Sequence, residues 1–359
     1  MNPSNLPSSE PPSWAQLGTV FANQANFYWV HLTEPGTCTR LLCTSRARLK
    51  KTGQSVLVGD RVLVEEIDWV EGRGAIAEIL PRQTEMQRPP IANANCLLLV
   101  FPFTEPPLDP WQLSRFLVTA EITALVPYLA LNKSDLISTS EREHWRARLQ
   151  AWGYTPTCIS VQQGDGIATL QALLAQKIVA IAGPSGAGKS SLINCLIPTA
   201  RLRVGAVSGK LQRGRHTTRH VELFSLPAGG WLADSPGFNK PSLDCDPAEL
   251  AQYFPEARAR LAHGLCQFSN CLHRQEPNCV VRGDWERYSH YLQFLDEAIA
   301  RHQSRQQAAD ADAALKLKIK QAGTQHYEPR LERKKYRRPS RRQHHQQLQD
   351  LYDDMKQDE

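Results

Sequence analysis

No stretch of this chain is apolar for anything near the roughly 18 residues that a membrane-spanning helix needs. The best candidate, Cys96 to Phe103, has the length of a strand. The opening segment, MNPSNLPSSEPPS, lacks both a basic start and an apolar core, so it does not read as a secretory signal. An even cysteine framework is missing too. There are 9 cysteines, and three of them share one short stretch with a histidine, which reads as a metal site rather than a disulfide scaffold. These absences argue against membrane and secreted classes and for a reducing, cytoplasmic setting. Internal repeats are also lacking. What is present is enough for a core: 41% of residues are apolar, and 22% charged is too few for a wholly disordered chain. A length of 359 residues allows two or three domains.

The net charge of +6 is unevenly placed. Residues 313–342 hold eleven Lys or Arg against two Glu, whereas residues 343–359 hold five acids and one Lys. The basicity therefore belongs to a tail. Residues 1–14, rich in Pro and Ser, read as disordered, and residues 308–359 as a basic then acidic, mostly disordered tail. Residues 15–82 show short β-like runs punctuated by Gly36, Gly53, Gly59 and Gly72, with no helical period. They predict a small β barrel of the OB type, although an SH3-like barrel suits the same pattern. Residues 83–95, with Pro89-Pro90, read as a linker. From 96 to 245 strands alternate with helices, which argues for a parallel sheet covered on both faces. Residues 246–307 read as helices around a Cys/His cluster, the longest running from Glu286 to Arg305. The fold class expected is α/β, flanked by a barrel and a helical metal-binding domain.

The strongest local signal is Gly183-Pro184-Ser185-Gly186-Ala187-Gly188-Lys189-Ser190, followed by Ser191. It lies between an apolar strand and a helical start, the context that a phosphate-binding loop requires. Backbone N–H groups close around phosphate oxygens there, and the helix N-terminus adds a positive field. Lys189 would reach the β and γ phosphates, and Ser190 would offer its hydroxyl oxygen to Mg²⁺. Asp234-Ser-Pro-Gly237 ends a later apolar run. Asp234 can hold Mg²⁺ through water, and the Gly237 N–H can sense a γ-phosphate. Asn132-Lys133-Ser134-Asp135 follows a third apolar run. A carboxylate at Asp135 can accept from guanine N1–H and the 2-amino group, a pair that adenine does not offer. Asn132 can bind N7 and tie neighbouring loops, and Lys133 can lay its methylenes along the base. Ser160-Val161 fits a backbone cap for guanine O6. These motifs favour GTP over ATP. Their order is unusual, with the base loops before the phosphate loop and Asp234 after it, which is a circular permutation. Permutation puts the switch elements beside whatever follows, so that a nucleotide-driven change can pass to the Cys/His unit.

That unit carries Cys266, Cys271, His273 and Cys279. Three thiolates and one imidazole suit tetrahedral Zn²⁺ with no position left for water, hence a structural site. Arg46, Arg48, Lys50 and Lys51 in the barrel, Arg213, Arg215, His216 and Arg219 farther on, and the cluster Arg333 to Arg342 around Tyr336 read as phosphate contacts to RNA.

With NKSD at 132–135, GPSGAGKS at 183–190, GRHTT at 214–218, DSPGF at 234–238 and the metal cluster, the chain resembles the circularly permuted RsgA/YjeQ GTPases over about residues 15–307. The basic extension is similar to that of cyanobacterial members. The resemblance implies hydrolysis of GTP, as a Mg²⁺ complex, to GDP, coupled to binding and release of the small ribosomal subunit and its rRNA late in maturation. A monomer is expected. The resemblance points to Thr217 and Thr218 as closing on Mg²⁺ and the γ-phosphate, with Thr218 favoured. Phe238 cannot orient the attacking water, and His216 matches the histidine proposed for that role in the family; a contact to RNA and a plain surface residue are the other readings of His216. Two alternatives stand beside this: a signalling GTPase with a protein partner, and an RNA-binding module that GTP merely stabilises.

Overall fold

The computed structural model describes residues 15–24, 26–33, 40–51, 53–87, 90–123, 125–200, 221–234, 241–312, 315–319 and 325–329. The chain divides into two units, Met1–Ala298 and Ile299–Glu359.

The first unit opens with β1 (Gln16–Gln24), β2 (Phe27–Leu32), β3 (Arg40–Ser45), a short helix α1 (Ala47–Lys51), β4 (Arg61–Asp68) and β5 (Arg73–Ile79). The strands run in the order β1-β2-β3-β5-β4, and β4 returns to pair with β1. β3 and β5 are parallel and the other neighbours antiparallel. This closed five-stranded path is an OB barrel. Val20, Val30, Leu41, Cys43, Val62, Val64 and Ile76 fill its interior. The segment expected as a linker is structured: β6 (Glu85–Gln87) and β7 (Pro90–Ala92) form a hairpin whose Met86 and Ile91 join the main core. Pro90 is the first residue of its strand, where a missing N–H is tolerated, and the next residues reach a second neighbour: Ile91 bridges Val58, and the Ala92 N–H donates to the Val58 carbonyl oxygen at 2.8 Å.

The alternating region gives β8 (Cys96–Pro102), α2 (Pro110–Ile122), β9 (Val126–Asn132), α3 (Thr139–Ala151), β10 (Pro156–Cys158), α4 (Ile167–Leu174), β11 (Lys177–Ala182), α5 (Lys189–Leu196), β12 (Glu222–Ser225) and β13 (Gly230–Asp234). β10, β9, β8, β11 and β13 form a parallel sheet, and β12 lies antiparallel to β13. β8 is buried along its whole length, as a central parallel strand must be. Its side chains alternate: Leu97, Leu99 and Phe101 pack with Phe116, Leu117 and Leu149, whereas Leu98 and Val100 pack with Leu170, Leu192 and Ile193. Local chemistry sets the helix starts. Asp109 caps α2, with Pro110 at the first position, and Ser138 and Glu141 close a capping box on α3.

Barrel and nucleotide sheet are not separate layers. Ala22 of β1 pairs with Glu222 of β12, so the two make one eleven-stranded sheet. A register shift in β1 between Val20 and Ala22 lets that strand turn from its barrel neighbours toward β12. Phe21 stacks on Trp231 of β13 with centroids 6.1 Å apart and ring planes 7° apart, and His31 meets the same indole edge-on at 5.3 Å.

A 3-10 turn at Pro247–Tyr253, α6 (Pro255–His263) and α7 (Tyr288–Asp312) follow, with the Cys/His segment between the two helices. These elements dock on α2 and α3. Arg287 is fully buried and donates to both carboxylate oxygens of Glu256, at 2.8 and 2.5 Å. Its guanidinium carbon lies 4.9 Å from the centroids of Trp152 and Phe254. Glu286 accepts from Trp152 Nε1 at 2.7 Å and Arg148 Nε at 2.6 Å. In the second unit, the tail expected to be mostly disordered contributes the end of α7 and an antiparallel hairpin, β14 (Leu315–Ile319) with β15 (Gln325–Pro329), which sets Lys316 opposite Glu328 and Lys318 opposite His326.

Candidate nucleotide site and metal cluster

Because β9, β10, β11 and β13 are parallel, the segments that leave their C-terminal ends converge on one edge of the sheet, the edge where open α/β sheets hold ligands. Asn132 ends β9, Ser160 follows β10, the glycine-rich loop follows β11 and Asp234 ends β13. Motifs far apart in sequence thus meet.

The phosphate loop is shaped by what its glycines must clear. Gly183 has φ 145°, and a Cβ there would stand 2.0 Å from the Val100 carbonyl oxygen. Gly188 has φ 87°, and a Cβ there would stand 2.4 Å from Asn132 Nδ2. Gly188 caps α5, whose first turn holds Lys189, Ser190 and Ser191, so that backbone donors and the helix dipole share one point. Lys189 Nζ lies across the loop, donating to the carbonyl oxygens of Gly183 at 2.8 Å and Pro184 at 2.7 Å.

Asn132 is 3% exposed and joins three loops. Its Nδ2 donates to the Ala187 carbonyl oxygen at 3.0 Å, and its Oδ1 accepts from the Val161 N–H at 3.4 Å. The expected tie between loops is therefore present. Ser160 is wholly buried; its N–H donates to the Asp165 carbonyl oxygen at 3.0 Å and its Oγ accepts from the Gln163 N–H at 3.0 Å. Both backbone donors of the Ser160-Val161 pair thus have partners inside the loops. Lys133 sits in the left-handed region at φ 61°, and its Nζ donates to the Glu105 carbonyl oxygen. Asp135 lies half-buried in the short 3-10 turn that follows. The segment after β8 was not anticipated. A Cβ on Gly186 would stand 3.1 Å from Pro106 Cδ, so this segment rims the phosphate loop, and the Pro106-Pro107 pair after a strand was the available signal. His216, Thr217, Thr218 and Gly237 lie outside the described residues, as does the side chain of Asp234.

In the metal cluster, the ligand atoms of Cys266, Cys271, His273 and Cys279 all lie within 4.8 Å of one another. His273 Nδ1 is 3.5 Å from Cys266 Sγ and 3.3 Å from Cys279 Sγ, and the two sulfurs are 3.9 Å apart. A tetrahedron with Zn–S bonds of about 2.3 Å has edges near 3.8 Å, so the donor set fits zinc in kind and in spacing. Burial, helped by the neighbouring Cys279 and Cys266 sulfurs, pushes the Cys271 thiol up to about 12, and burial holds the His273 imidazole below its ordinary value. A neutral imidazole is ready to ligate, and a bound cation reverses the cost of a thiolate. A second set of bonds holds the loop. Glu276 accepts from the N–H groups of Leu272 at 2.8 Å and Arg274 at 2.7 Å. Tyr288 and Tyr291 of α7 donate to the carbonyl oxygens of His273 and Leu272 at 2.8 and 2.9 Å.

A phosphate loop on β11, the Asn132–Asp135 loop on β9 ahead of it in sequence, an OB barrel before them and a Cys₃His cluster after them define a circularly permuted P-loop GTPase. The family described as RsgA GTPase matches residues 79–244. The Small ribosomal subunit biogenesis GTPase RsgA of Trichormus variabilis is 59% identical over 94% of this chain and 96% of its own length. That of Synechocystis is 53% identical over 92% of this chain and 94% of its own. Among solved structures, YjeQ from Thermotoga maritima superposes with a TM-score of 0.67 at 29% identity, covering 80% of this chain and 99% of its own. The circularly permuted GTPase YloQ gives the same TM-score and identity over 82% of this chain. The chain belongs to the RsgA GTPase family.

Proposed function

We propose that this chain hydrolyses GTP to time its stay on the maturing small ribosomal subunit in the cytoplasm. Its relatives are named for small-subunit biogenesis, and at 59% identity over 94% of the chain the same activity, GTP hydrolysis linked to small-subunit maturation, is assigned here. The observation that carries the nucleotide half is Asn132, buried between the phosphate loop and the base loops at the ligand edge of the sheet.

In this reading Asp135 takes the guanine N1–H and 2-amino group, and the Lys133 stem lies along the base. The loop from Gly183 to Ser190 wraps the phosphates. Lys189 leaves its two carbonyl partners for the β and γ oxygens, exchanging neutral acceptors for charged ones. Ser190, Thr218 (with Thr217 as its neighbour) and Asp234 would hold Mg²⁺, which neutralises charge developing on the transferred phosphoryl group. The Gly237 N–H reports the γ-phosphate, and His216 orients the water. Zn²⁺ on Cys266, Cys271, His273 and Cys279 supplies folding energy and no chemistry. The barrel and the cationic segments supply contact to rRNA phosphates. GTP favours the bound state, and its loss releases the protein.

The test is steady-state phosphate release from GTP with and without purified small subunits, with large subunits and ATP as controls. A large rise confined to GTP with small subunits is expected. No rise while the subunit demonstrably binds would overturn the timer and leave an RNA-binding module stabilised by GTP.

A further inference from the structure

Arg115, on α2, makes three kinds of contact at once. Its Nε donates to the Pro241 carbonyl oxygen at 3.1 Å. Its Nη1 and Nη2 donate to the two carboxylate oxygens of Glu297 on α7, at 2.6 and 2.7 Å. Its Cζ lies 5.5 Å from the Trp111 ring centroid and 5.6 Å from that of Phe294. Only a planar fork of donors can do all three; an ammonium group has one point of charge and no plane to stack. Pro241 is the first described residue after Asp234-Ser-Pro-Gly-Phe238. At the other end of that motif the Asp234 backbone is in register with Ile181 of β11 and Glu222 of β12. Between these two fixed points the chain runs only from Ser235 to Lys240.

We propose that Arg115 is a positioning residue for GTP hydrolysis, fixing where the chain leaves the Asp234–Gly237 motif and making that position depend on α7. The inference rests on reading that motif as the sensor of the γ-phosphate. Arg115 holds a carbonyl, and Glu297 turns the fork so that Nε faces Pro241. α7 also carries Tyr288, which donates to His273, so the partner of Arg115 and the support of the metal loop share one helix. A load on the metal-bearing segment thereby reaches the exit of the γ-phosphate motif. On that reading of the motif, loosening its exit should weaken the GTP-bound state and spare the GDP-bound one.

The test uses the full chain carrying Arg115→Gln, Arg115→Lys, Glu297→Gln, or the exchange Arg115→Glu with Glu297→Arg. The readout is the affinity for a non-hydrolysable GTP analogue relative to GDP, with zinc content and melting temperature measured alongside. Arg115→Gln and Arg115→Lys should lower that ratio about tenfold, the scale of a lost charge-assisted hydrogen bond, with GDP affinity held within about twofold. Glu297→Gln should lower it about threefold, and it decides the matter if the Arg115 variants do not fold. The exchange should restore the melting temperature, because the α2–α7 ion pair re-forms, yet leave the ratio low, because a carboxylate at 115 cannot donate to a carbonyl. An unchanged ratio in a folded, zinc-loaded variant, or an exchange that restores both quantities, would overturn the proposal. Absence of stimulation of the unaltered protein by small subunits would sink the timer instead and leave this ratio to decide Arg115.

Discussion

Asn132 Nδ2 and the Ala187 carbonyl oxygen, 55 residues apart in sequence, are 3.0 Å apart in space. That bond makes the phosphate loop and the base loop one object. Asn132→Ala would strand the Ala187 carbonyl and release Val161. The expected cost is about 1–2 kcal/mol, a loss of about tenfold in affinity for GTP and GDP alike, read by fluorescent-nucleotide titration. A loss confined to GTP would show that Asn132 acts on the γ-phosphate side rather than as a tie.

Asp135→Asn replaces two acceptor oxygens by one oxygen and one amide donor. Guanine then loses a partner for its 2-amino group and should bind about a hundredfold more weakly or worse, two charged hydrogen bonds being worth roughly 3 kcal/mol or more. Xanthine carries a carbonyl at that ring position, which the new amide can serve. Competition between XDP and GDP should therefore invert, and a variant still preferring GDP would remove Asp135 from the base site.

How much of this was legible from the sequence depends on the range of the signal. β8, β9 and β11 announce themselves as apolar runs bounded by turn residues, and the glycine-rich loop needs only its flanks to be placed. The barrel was legible as a barrel, but its strand order was not, since nothing in Gln16–Gln24 marks β4 as well as β2 as a neighbour. The hairpin at 85–92 was missed because Pro89-Pro90 argues against the middle of a strand and is silent about a strand's first residue. Arg287 was missed for a related reason. In Arg282-Gly-Asp-Trp-Glu-Arg287 it looks like one more solvated cation, and only the fold supplies Glu256 and the faces of Trp152 and Phe254.

That buried pair yields a third prediction. Arg287→Ala should destabilise the chain by about 3–5 kcal/mol, because Glu256 keeps its charge and loses its partner. Replacing both residues by Met should cost much less, since no charge is then stranded. Urea unfolding followed by tryptophan fluorescence distinguishes the two, and equal losses would mean that the aromatic cage rather than the ion pair carries the interface.

Chelation, or Cys271→Ser, tests the metal cluster. Bound zinc should fall from about one per chain to none. A loss of about 3 kcal/mol would lower the melting temperature by roughly 5 °C for the unit Met1–Ala298. GDP affinity should change less than about threefold, because the Asn132 tie lies on the sheet edge and not in the metal loop. A chain that neither loses zinc nor melts earlier would show that these side chains do not hold the ion.

The strand pair at Ala22 and Glu222 joins positions 200 residues apart, and the fork of Arg115 grips Glu297 across 182. The barrel, by contrast, closes on itself within its first 79 residues. Loop-closure entropy favours the short-range closures, and a chain made from its N-terminus completes them first. The barrel is thus a finished body before β12 exists, and the seam between them is sewn late, after the strand that follows the glycine-rich loop has been made. A protein stalled before that seam forms would present a folded barrel with β1 unpaired on the side where Glu222 belongs. Assembly order therefore lets the barrel close before it is coupled to the nucleotide sheet, and leaves only the helices that follow β13 to dock after that seam.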